Sequence, residues 1–303
     1  MDRARGSAPR HGVLRRLRYW LEWALLRSGV ALVRLMPPTM AARAIGKGWR
    51  WVAPFNRRHQ RALENIRHAF PDMPVDQREA LARDAWENLG QVMAETLQLD
   101  RIVADRSRFE FDVDGVRETV GEGGAVIVSM HAGNWEVTAL GGHAAGWQTA
   151  GVYQALKNPL TETLLHDLRA PVYPAGLFAK GHDTARRLLS LARSGGRVAM
   201  LADLRDLRGV VVPFFGREAY ATPYPATIAL AARVPLIACR VIRLPGSRFR
   251  IEAEVVPMPQ SGDRKADALE ATRRYHARFE TWIREYPEQW MWIMRKWIDG
   301  PAR

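Results

Sequence analysis

The sequence predicts a single α/β domain, a mixed and largely parallel sheet covered by helices, with a helical N-terminal segment before it. Two observations predict this fold class. Before residue 100 the apolar residues recur at helical spacing, and after residue 108 short apolar runs alternate with helical patterns. Such alternation is typical of strands that are connected by helices packed on a sheet.

The first hundred residues are predicted to be helical throughout. A first helix ends at Pro37-Pro38, because proline cannot continue a helix. Asp76 and Glu79 have the spacing of a capping box, which predicts where the longest of these helices begins. The helices predicted after the first one cover 39–51, 57–69 and 76–98.

Strand patterns begin at Phe109. Residues 109–113 alternate between apolar and polar, and the continuous apolar run 124–130 predicts a strand buried on both faces. Further strands are predicted at 151–155, 197–202, 209–215, 234–242 and 248–256. Helices are predicted at 134–145, 159–170, 182–195, 222–232 and 264–285. No repeat or linker interrupts this part of the chain.

The composition excludes several classes of protein. With 303 residues and 47% hydrophobic side chains, the chain is long enough for a full core. Eleven Trp and nine Phe exclude disorder as a description of the whole chain. The one cysteine, Cys239, excludes an internal disulfide and any zinc or iron–sulfur site built from cysteines.

The positive charge is concentrated near the N-terminus. Residues 1–70 contain fifteen Lys and Arg against three Asp and Glu, a net +12, whereas residues 71–303 contain thirty against twenty-nine. A strongly basic segment on a nearly neutral body favours a polyanionic partner. We therefore predict two parts, a basic helical segment over 1–70, which we expect to associate with a membrane, and an α/β domain over 71–303.

The stretch 14–36 favours an interfacial helix over a membrane span. Its longest run without a charge is six residues, Ser28–Val33, whereas a span needs about 20 mostly apolar residues. A secretory signal fits poorly for the same reason. Trp20 and Trp23 lie among Leu and Arg, as in helices at the headgroup boundary. An ordinary docked helix is the alternative, and no nucleic-acid partner is expected, because no nucleic-acid module is recognisable.

The segment His131-Ala-Gly-Asn-Trp-Glu136 follows the apolar run 124–130 directly. His131 is therefore predicted where a strand ends and a helix begins, the edge at which helix-covered sheets bind ligands. Glu136 would lie in the first helical turn and point back at the imidazole, so that the other ring nitrogen acts as a general base. A hydrogen-bonded structural histidine is the alternative.

Other chemistries are less well supported by the residues. Ser129 lacks the glycine pattern of a nucleophile elbow, and Cys239 lies in an apolar strand. Metal binding by His131 and Glu136 would need a third ligand, for which His143 is available, although a surface helix is the simpler interpretation of its position. The sequence therefore implies no metal and no cofactor.

Six segments of the chain together resemble the bacterial lipid A late (lauroyl/myristoyl) acyltransferase family. The segment 131–136 looks like the HxxxxD/E signature of lysophospholipid and glycerolipid acyltransferases. The other matching segments, in order, are Asn65–Pro71, Val152–Pro159, Leu201–Asp203, Gly209–Arg217 and Pro287–Trp297. The resemblance covers residues 15–298, and the ordered set is far more specific than any one motif.

The resemblance implies that the α/β domain over 71–303 is a glycerolipid acyltransferase-like sandwich, and that the protein is an enzyme on the cytoplasmic face of the bacterial inner membrane. Such an enzyme moves an acyl chain from acyl carrier protein to a lipid hydroxyl, without a covalent acyl-enzyme. By position, His131 would deprotonate the hydroxyl and Glu136 would orient His131. Asn158 and Arg169 also match family positions and are predicted to bind substrate, with a helix cap and a surface charge as the alternatives.

Two departures from the family pattern leave the acceptor open. Members that modify lipid A commonly have Tyr-Arg where this chain has Tyr153-Gln154, and a His where it has Met294. The acceptor is thus a lipid A precursor, another lysolipid or a related glycolipid such as a mannoside; the donor could also be a CoA thioester. Arg205 and Arg208 are predicted to bind an anionic headgroup or the donor's phosphopantetheine arm, with a solvated turn as the alternative.

A function without catalysis is the competing hypothesis. An adaptor that binds the membrane surface on an inherited acyltransferase scaffold would keep the basic segment but would consume no thioester. The intact pair of His131 and Glu136 favours the enzyme.

Overall fold

The computed structural model describes residues 10–298. Its helices are α1 (Arg10–Arg34), α2 (Pro38–Val52), α3 (Arg57–Ala69), α4 (Val75–Thr96), α5 (Leu99–Ala104), α6 (Asp114–Val120), α7 (Leu140–Ala144), α8 (Pro159–Arg169), α9 (His182–Arg193), α10 (Tyr224–Ala232) and α11 (Arg264–Glu285). Its strands are β1 (Phe109–Asp112), β2 (Ala125–Ser129), β3 (Thr149–Tyr153), β4 (Leu177–Ala179), β5 (Arg197–Leu201), β6 (Val210–Phe214), β7 (Arg217–Ala221), β8 (Leu236–Leu244) and β9 (Arg248–Val256).

Seven of these strands form one sheet in the order β1-β9-β8-β2-β5-β3-β4. Every neighbouring pair in it is parallel except β8 and β9, which are antiparallel. Strand β2 lies at the centre and is buried along its whole length, as the continuous apolar run predicts. The predicted α/β class with a mixed, largely parallel sheet is therefore confirmed.

Helices cover both faces of the sheet. Because successive residues of a strand point to opposite sides, β2 contributes side chains to both of the resulting cores. Val126 and Val128 of β2 belong to a core with α3, α4, α9, α10 and α11. Ala125 and Ile127 point the other way, into a core with α5, α6 and α7. Helix α3, which lies before residue 70, contributes Ile66 to the first core. The division of the chain at residue 70 stays a prediction.

Several local predictions need correction. The capping box is wrong: α4 begins at Val75 with Pro74 as its N-cap residue, and no side chain caps it. Glu79 instead binds His59 and Arg83. The helix predicted over 134–145 is a 3-10 turn followed by the short α7.

The strand predicted over 209–215 lies outside the main sheet. It forms β6 of a separate antiparallel hairpin with β7, which was not predicted. The hairpin turns at Phe215 and Gly216, both of which have positive φ, as tight two-residue turns require. Trp297 holds the hairpin to the C-terminal segment, because its Nε1 donates to Phe214 O at 2.8 Å.

Helix α1 packs on α8 and leaves a row of apolar side chains in solvent. Those that are more than half exposed are Val13, Leu14, Leu17, Trp20, Leu21, Leu25 and Leu32. Among the helices of residues 10–298, none has both the length and the apolar character needed to cross a bilayer. The basic residues Arg3 and Arg5 lie outside the described residues.

Candidate active site

The ends of β2 and β5 bring two sequence-distant residues together. The two strands are parallel and in register, with Ser129 beside Leu201, so their carboxyl ends meet at one edge of the sheet. Two residues further along each chain segment stand His131 and Asp203. A cavity of 890 Å³ opens at this edge, and His131 lines it. Ligands of helix-covered parallel sheets bind at this edge, which makes the cavity the candidate active site.

His131 and Asp203 form a tightly bonded pair. Nδ1 of His131 lies 2.7 Å from Oδ1 of Asp203, and the backbone N–H of His131 donates to Oδ2 at 2.9 Å. Because a carboxylate only accepts hydrogen bonds, Nδ1 carries the proton and Nε2 holds the lone pair. The side chain of His131 is 15% exposed and that of Asp203 is fully buried. This arrangement leaves Nε2 as the basic atom of the ring.

Asp203 stays ionised although it is buried. Burial by itself favours the neutral carboxyl, but the charge of His131 and hydrogen bonds from His131 and Trp290 outweigh it, so the pKa of Asp203 is lowered to about 2. A permanently charged carboxylate fixes the imidazole tautomer and stabilises the imidazolium that forms when Nε2 takes a proton.

Glu136 does not make the contact that its spacing predicted. Its carboxylate accepts two hydrogen bonds from Arg169, one from Nε at 2.7 Å and one from an Nη at 2.6 Å. Both residues line the cavity beside His131. The expected pairing of Glu136 with His131 is therefore corrected: Asp203 orients the imidazole, and Glu136 anchors Arg169.

Glu136 and Arg169 form an ion pair that is largely shielded from solvent. The side chain of Glu136 is 7% exposed and that of Arg169 is 25% exposed. Burial opposes the charge on Arg169, yet Glu136 more than compensates, so the pKa of Arg169 is raised. A bidentate guanidinium–carboxylate pair fixes both side chains in one geometry. Arg169 thus stands in the cavity as a fixed cation, rather than as the surface charge that was the alternative.

Buried hydrogen bonds fix the turn that follows His131. Gly133 has φ +58°, and a Cβ there would lie 2.0 Å from Val241 O, so only glycine fits. Asn134 accepts a hydrogen bond from the N–H of Glu136 and donates to the buried carboxylate of Glu95. Arg243 in turn holds Glu95 at 2.6 Å. This buried network fixes the direction of the turn and therefore of His131.

The tryptophan-rich C-terminal segment closes the site from behind. Nε1 of Trp290 donates to Oδ2 of Asp203 at 2.9 Å, and the N–H of Met291 donates to His131 O. Asn65 of α3 donates to the carbonyls of Trp292 and Met294. Trp290, Trp292 and Trp297 are all buried. Packing is therefore their role in the fold, and the matching segments 131–136, 201–203 and 287–297 meet at Asp203.

The mouth of the cavity is basic. Lys180, Arg205 and Arg208 all line it, and Lys180 and Arg208 are exposed. The guanidinium of Arg205 lies 5.4 Å from the centre of the Tyr220 ring. Asp206 accepts a hydrogen bond from the N–H of Arg208, so the loop is an ordered turn that also presents two arginines to the cavity. The structure thus brings Arg205 and Arg208 to the site together with Arg169.

Asn158 lies away from the cavity lining. Its side chain caps α8 by accepting from the N–H of Leu160, and it donates to Tyr19 O and to the Glu22 carboxylate, both on α1. It is 4% exposed. Asn158 is thus a helix cap, the alternative to substrate binding, and it also ties α1 to α8.

The other chemistries considered from the sequence find little support in the structure. Burial raises the pKa of the Cys239 thiol to about 12, which removes the thiolate that a nucleophile needs. His143 does not line the cavity. Within residues 10–298, no three His, Cys, Asp or Glu side chains are grouped to hold a metal ion.

Sequence reasoning missed the role of Asp203. The signal was present, since Asp203 directly follows a predicted strand, as His131 does, and polar residues at two neighbouring strand ends meet. Which strand lies beside β2 was not apparent from the sequence. Trp290 was missed as a hydrogen-bond donor for the same reason.

Comparison with known proteins adds an independent observation. The sequence model of the family described as bacterial lipid A biosynthesis acyltransferase matches residues 8–298. A lipid A biosynthesis acyltransferase of Haemophilus influenzae is 23% identical, over 91% of this chain and 87% of its own. A phosphatidylinositol mannoside acyltransferase of Mycolicibacterium smegmatis is 24% identical, over 89% and 90%. A lipid A biosynthesis myristoyltransferase of Escherichia coli is 22% identical, over 92% and 87%.

Proposed function

Since this chain belongs to the bacterial lipid A biosynthesis acyltransferase family, we propose that it transfers a fatty acyl chain from the thioester of acyl carrier protein to a hydroxyl of a lipid A precursor or a related glycolipid. The observation that carries the proposal is the His131–Asp203 pair, whose histidine lines a large cavity. A histidine held by a buried carboxylate, with its second nitrogen basic, is suited to take the proton of an acceptor hydroxyl.

The reaction proceeds in one direct transfer. Nε2 of His131 removes the proton of the acceptor hydroxyl as its oxygen attacks the thioester carbonyl carbon. A tetrahedral intermediate forms, and its collapse breaks the carbon–sulfur bond and leaves the new ester. The imidazolium, stabilised by Asp203, returns the proton to the departing thiolate. General-base help of this kind contributes roughly 10²–10⁴-fold in rate.

The basic mouth of the cavity supports a phosphorylated donor arm and an anionic acceptor. Arg169, Arg205 and Arg208 are guanidinium groups, which bind phosphate through paired hydrogen bonds. Lys180 adds a further exposed cation at the rim. An acidic carrier protein would be drawn to such a rim by its charge.

The acceptor is proposed only as a class, because the curated relatives differ in theirs. Two are named for lipid A biosynthesis and one for phosphatidylinositol mannoside acylation. At the position where lipid A-modifying members commonly have Tyr-Arg, this chain has Tyr153 and Gln154, and both line the cavity. The hydroxyl of Tyr153 donates a hydrogen bond to the carboxylate of Glu162. A glycolipid with a free hydroxyl fits both groups of relatives.

A place on the cytoplasmic face of the inner membrane completes the proposal. The exposed apolar row of α1 contains Trp20, and the first seventy residues carry a net +12. Apolar side chains that enter the headgroup region and arginines that meet anionic lipids both favour binding to a bilayer surface. Vesicles of anionic lipid should bind the protein, and Trp20→Glu should weaken that binding several-fold.

Mass spectrometry of total lipid extracts tests the proposed transfer. Cells that lack the protein are compared with cells that express the wild type, His131→Ala or His166→Ala. His166 is a half-buried histidine of α8 that does not line the cavity. We expect a lipid one acyl chain lighter in the deficient and His131→Ala cells, and the full lipid with wild type and His166→Ala. A normal lipid profile in His131→Ala cells would contradict the mechanism, and identical profiles in all four samples would favour an adaptor.

A further inference from the structure

A second cavity of 480 Å³ lies between α2, α4 and the turn that joins β8 to β9. Its lining shares no residue with that of the catalytic cavity. Its floor consists of Asn88, Arg243 and Gln289, which are bonded to one another. Nε of Arg243 donates to Oδ1 of Asn88 at 2.7 Å, and the N–H of Arg243 donates to Oε1 of Gln289 at 2.7 Å. The floor is therefore a fixed polar surface, in which Asn88 and Gln289 are buried.

The α2 side of this cavity carries two cations. Arg43 and Lys47 are one helical turn apart, line the cavity and are exposed. Within residues 10–298, neither of them has a carboxylate at ion-pair distance. Two cations that share one side of a concave site, without a carboxylate to balance them, favour an anionic ligand group.

The other charged residues of the lining, outside the floor, are acidic. Asp84 and Glu87 of α4 both contact the guanidinium of Arg50, which balances part of their charge. Glu288 is half-buried, and its carboxylate accepts one long hydrogen bond, at 3.4 Å, from Nε2 of Gln289. In the described part of the chain, no Lys, Arg or His forms an ion pair with Glu288. The cavity thus presents unpaired charges of both signs.

A ligand with both a phosphate and an ammonium group matches these charges. Guanidinium and ammonium side chains bind phosphate oxygens, and a carboxylate binds an ammonium group through charge-assisted hydrogen bonds. A phosphate alone would satisfy Arg43 and Lys47 but would be repelled by Glu288. A zwitterionic group is therefore the better fit.

Exposed apolar residues adjoin the two cations on α2. Met40, Arg43, Lys47 and Trp51 follow one another at spacings of three and four residues, which places them on one face of the helix. Met40 is 55% exposed and Trp51 is 73% exposed. Phe55, just after α2, is 82% exposed, and its ring centre lies 6.3 Å from that of Trp51. Exposed apolar side chains beside cations are typical of a surface at the headgroup boundary of a bilayer, which favours a lipid as the ligand.

We propose that this cavity is a second lipid site, which binds the headgroup of a zwitterionic phospholipid. The phosphate lies against Arg43 and Lys47, and the ammonium group lies against Glu288. The acyl chains lie beside Met40 and Trp51. Because the site is separate from the catalytic cavity, its lipid is neither the acyl donor nor the acceptor, and the inference does not depend on the transfer reaction.

Isothermal titration calorimetry of the full chain with dihexanoylphosphatidylethanolamine, below its micelle concentration, tests the site. We expect the wild type to bind this lipid. Arg43→Met and Lys47→Met should each bind it roughly tenfold more weakly, because each loses a charge-assisted hydrogen bond. Arg57→Met, which removes an exposed cation of α3 outside the cavity lining, is the matched control and should bind as the wild type does. Equal affinity in Lys47→Met and Arg57→Met would overturn the inference, as would a wild type that does not bind.

A second lipid tests the role of Glu288. Dihexanoylphosphatidylglycerol has the same acyl chains and phosphate but no ammonium group. The wild type should bind the ethanolamine lipid several-fold more tightly than the glycerol lipid, and Glu288→Gln should bind the two about equally. Glu118→Gln, at an exposed position outside the cavity lining, should keep the wild-type preference. A preference that survives in folded Glu288→Gln would contradict the ammonium contact and with it the proposed headgroup.

O-phosphoethanolamine, the headgroup without acyl chains, distinguishes a lipid from a free phosphoamine. It should bind the wild type far more weakly than the short-chain lipid does, and Trp51→Glu should weaken the binding of the lipid alone. Equal affinities of the wild type for the two compounds would overturn the assignment of a lipid.

The acyl transfer assay separates this inference from the proposed function. Lys47→Met should transfer at the wild-type rate, because Lys47 lies outside the catalytic cavity. A wild type that binds the short-chain lipid but transfers no acyl chain would contradict the proposed function and leave the second lipid site intact. Competitive inhibition of transfer by the short-chain lipid would place that lipid in the catalytic cavity and overturn the inference.

Discussion

Two carboxylates border His131, and they belong to different parts of the molecule. Glu136 follows His131 by five residues but binds Arg169 at the end of α8. Asp203 follows it by seventy-two residues and holds Nδ1 at 2.7 Å. Both are buried. The difference teaches that the register of two parallel strands, rather than spacing within a motif, decides which acid orients the histidine.

The two carboxylates also differ in what they connect to. Asp203 is linked inward, to Trp290 and the C-terminal segment behind the sheet. Glu136 is linked outward, through Arg169 to α8, whose other end is capped by Asn158 and tied to α1. We therefore expect Asp203 and its contact with Trp290 to determine the chemistry of His131. We expect the Glu136–Arg169 pair to determine the shape of the cavity and the position of α1.

The largest effect on stability is expected from Arg169→Met. The change leaves the buried Glu136 carboxylate without its bidentate partner, so the free energy of unfolding should fall by about 3–5 kcal/mol. Urea unfolding followed by circular dichroism measures it. Arg186→Met, which removes an 86% exposed guanidinium on α9, is the matched control and should change little.

A double variant sharpens that prediction. Glu136→Gln together with Arg169→Met removes both charges, so it should recover part of the stability that Arg169→Met loses. If the double variant is as unstable as the two single losses added together, the ion pair is not the unit that the distances indicate.

The acid sensitivity of Asp203 provides the next comparison. Its pKa in the folded protein, about 2, lies below the ordinary 3.8, so the carboxylate stabilises the fold fully above the ordinary value. That contribution is lost as the pH falls from about 4 toward 2. Between pH 5 and pH 2 the wild type should therefore lose more unfolding free energy than Asp203→Asn. Parallel losses in urea unfolding would show that Asp203 is not held as a charged group.

Local sequence patterns predict many of the helices and strands of this fold. The run 124–130 is continuously apolar because β2 is buried on both faces, so its place at the centre of the sheet was predictable. The bounds of α8 and α11 follow from helical spacing and from the caps Asn158 and Asp263. The class of the fold and the position of His131 at a strand end could therefore be predicted from the sequence.

The partners of these residues could not be predicted in the same way. Strand β5 lies beside β2 although β3 and β4 come between them in the chain, and no local pattern encodes that order. The strand order therefore places Asp203 beside His131, although the two residues are far apart in the sequence. Likewise, Glu79 fits a capping box by spacing, but a nearby His59 and Arg83 bind its carboxylate. Contacts between elements, rather than local spacing, thus decide the partners of both carboxylates.

A smaller effect is expected from Asn158→Ala. The change removes an N-cap, which costs about 1 kcal/mol, and also the hydrogen bonds to Tyr19 and Glu22 that hold α1. The free energy of unfolding should fall by that amount, and proteolysis within α1 should become faster. Thr163→Ala, at an exposed position on the same helix, is the control. Unchanged proteolysis of α1 would show that Asn158 does not fix it.

The most direct test of the central claim compares Asp203→Asn with Glu136→Gln in single-turnover acyl transfer. Each change replaces a carboxylate with an amide of similar size, and circular dichroism confirms that both variants are folded. The single oxygen of an amide at 203 is favoured where His131 N–H and Trp290 Nε1 both donate, so the NH2 group would face Nδ1 and disfavour its protonated tautomer. The rate should therefore fall by roughly 10²–10⁴-fold, whereas Glu136→Gln should lose about tenfold or less. A larger loss in Glu136→Gln than in Asp203→Asn would contradict the assignment of Asp203 as the partner of His131.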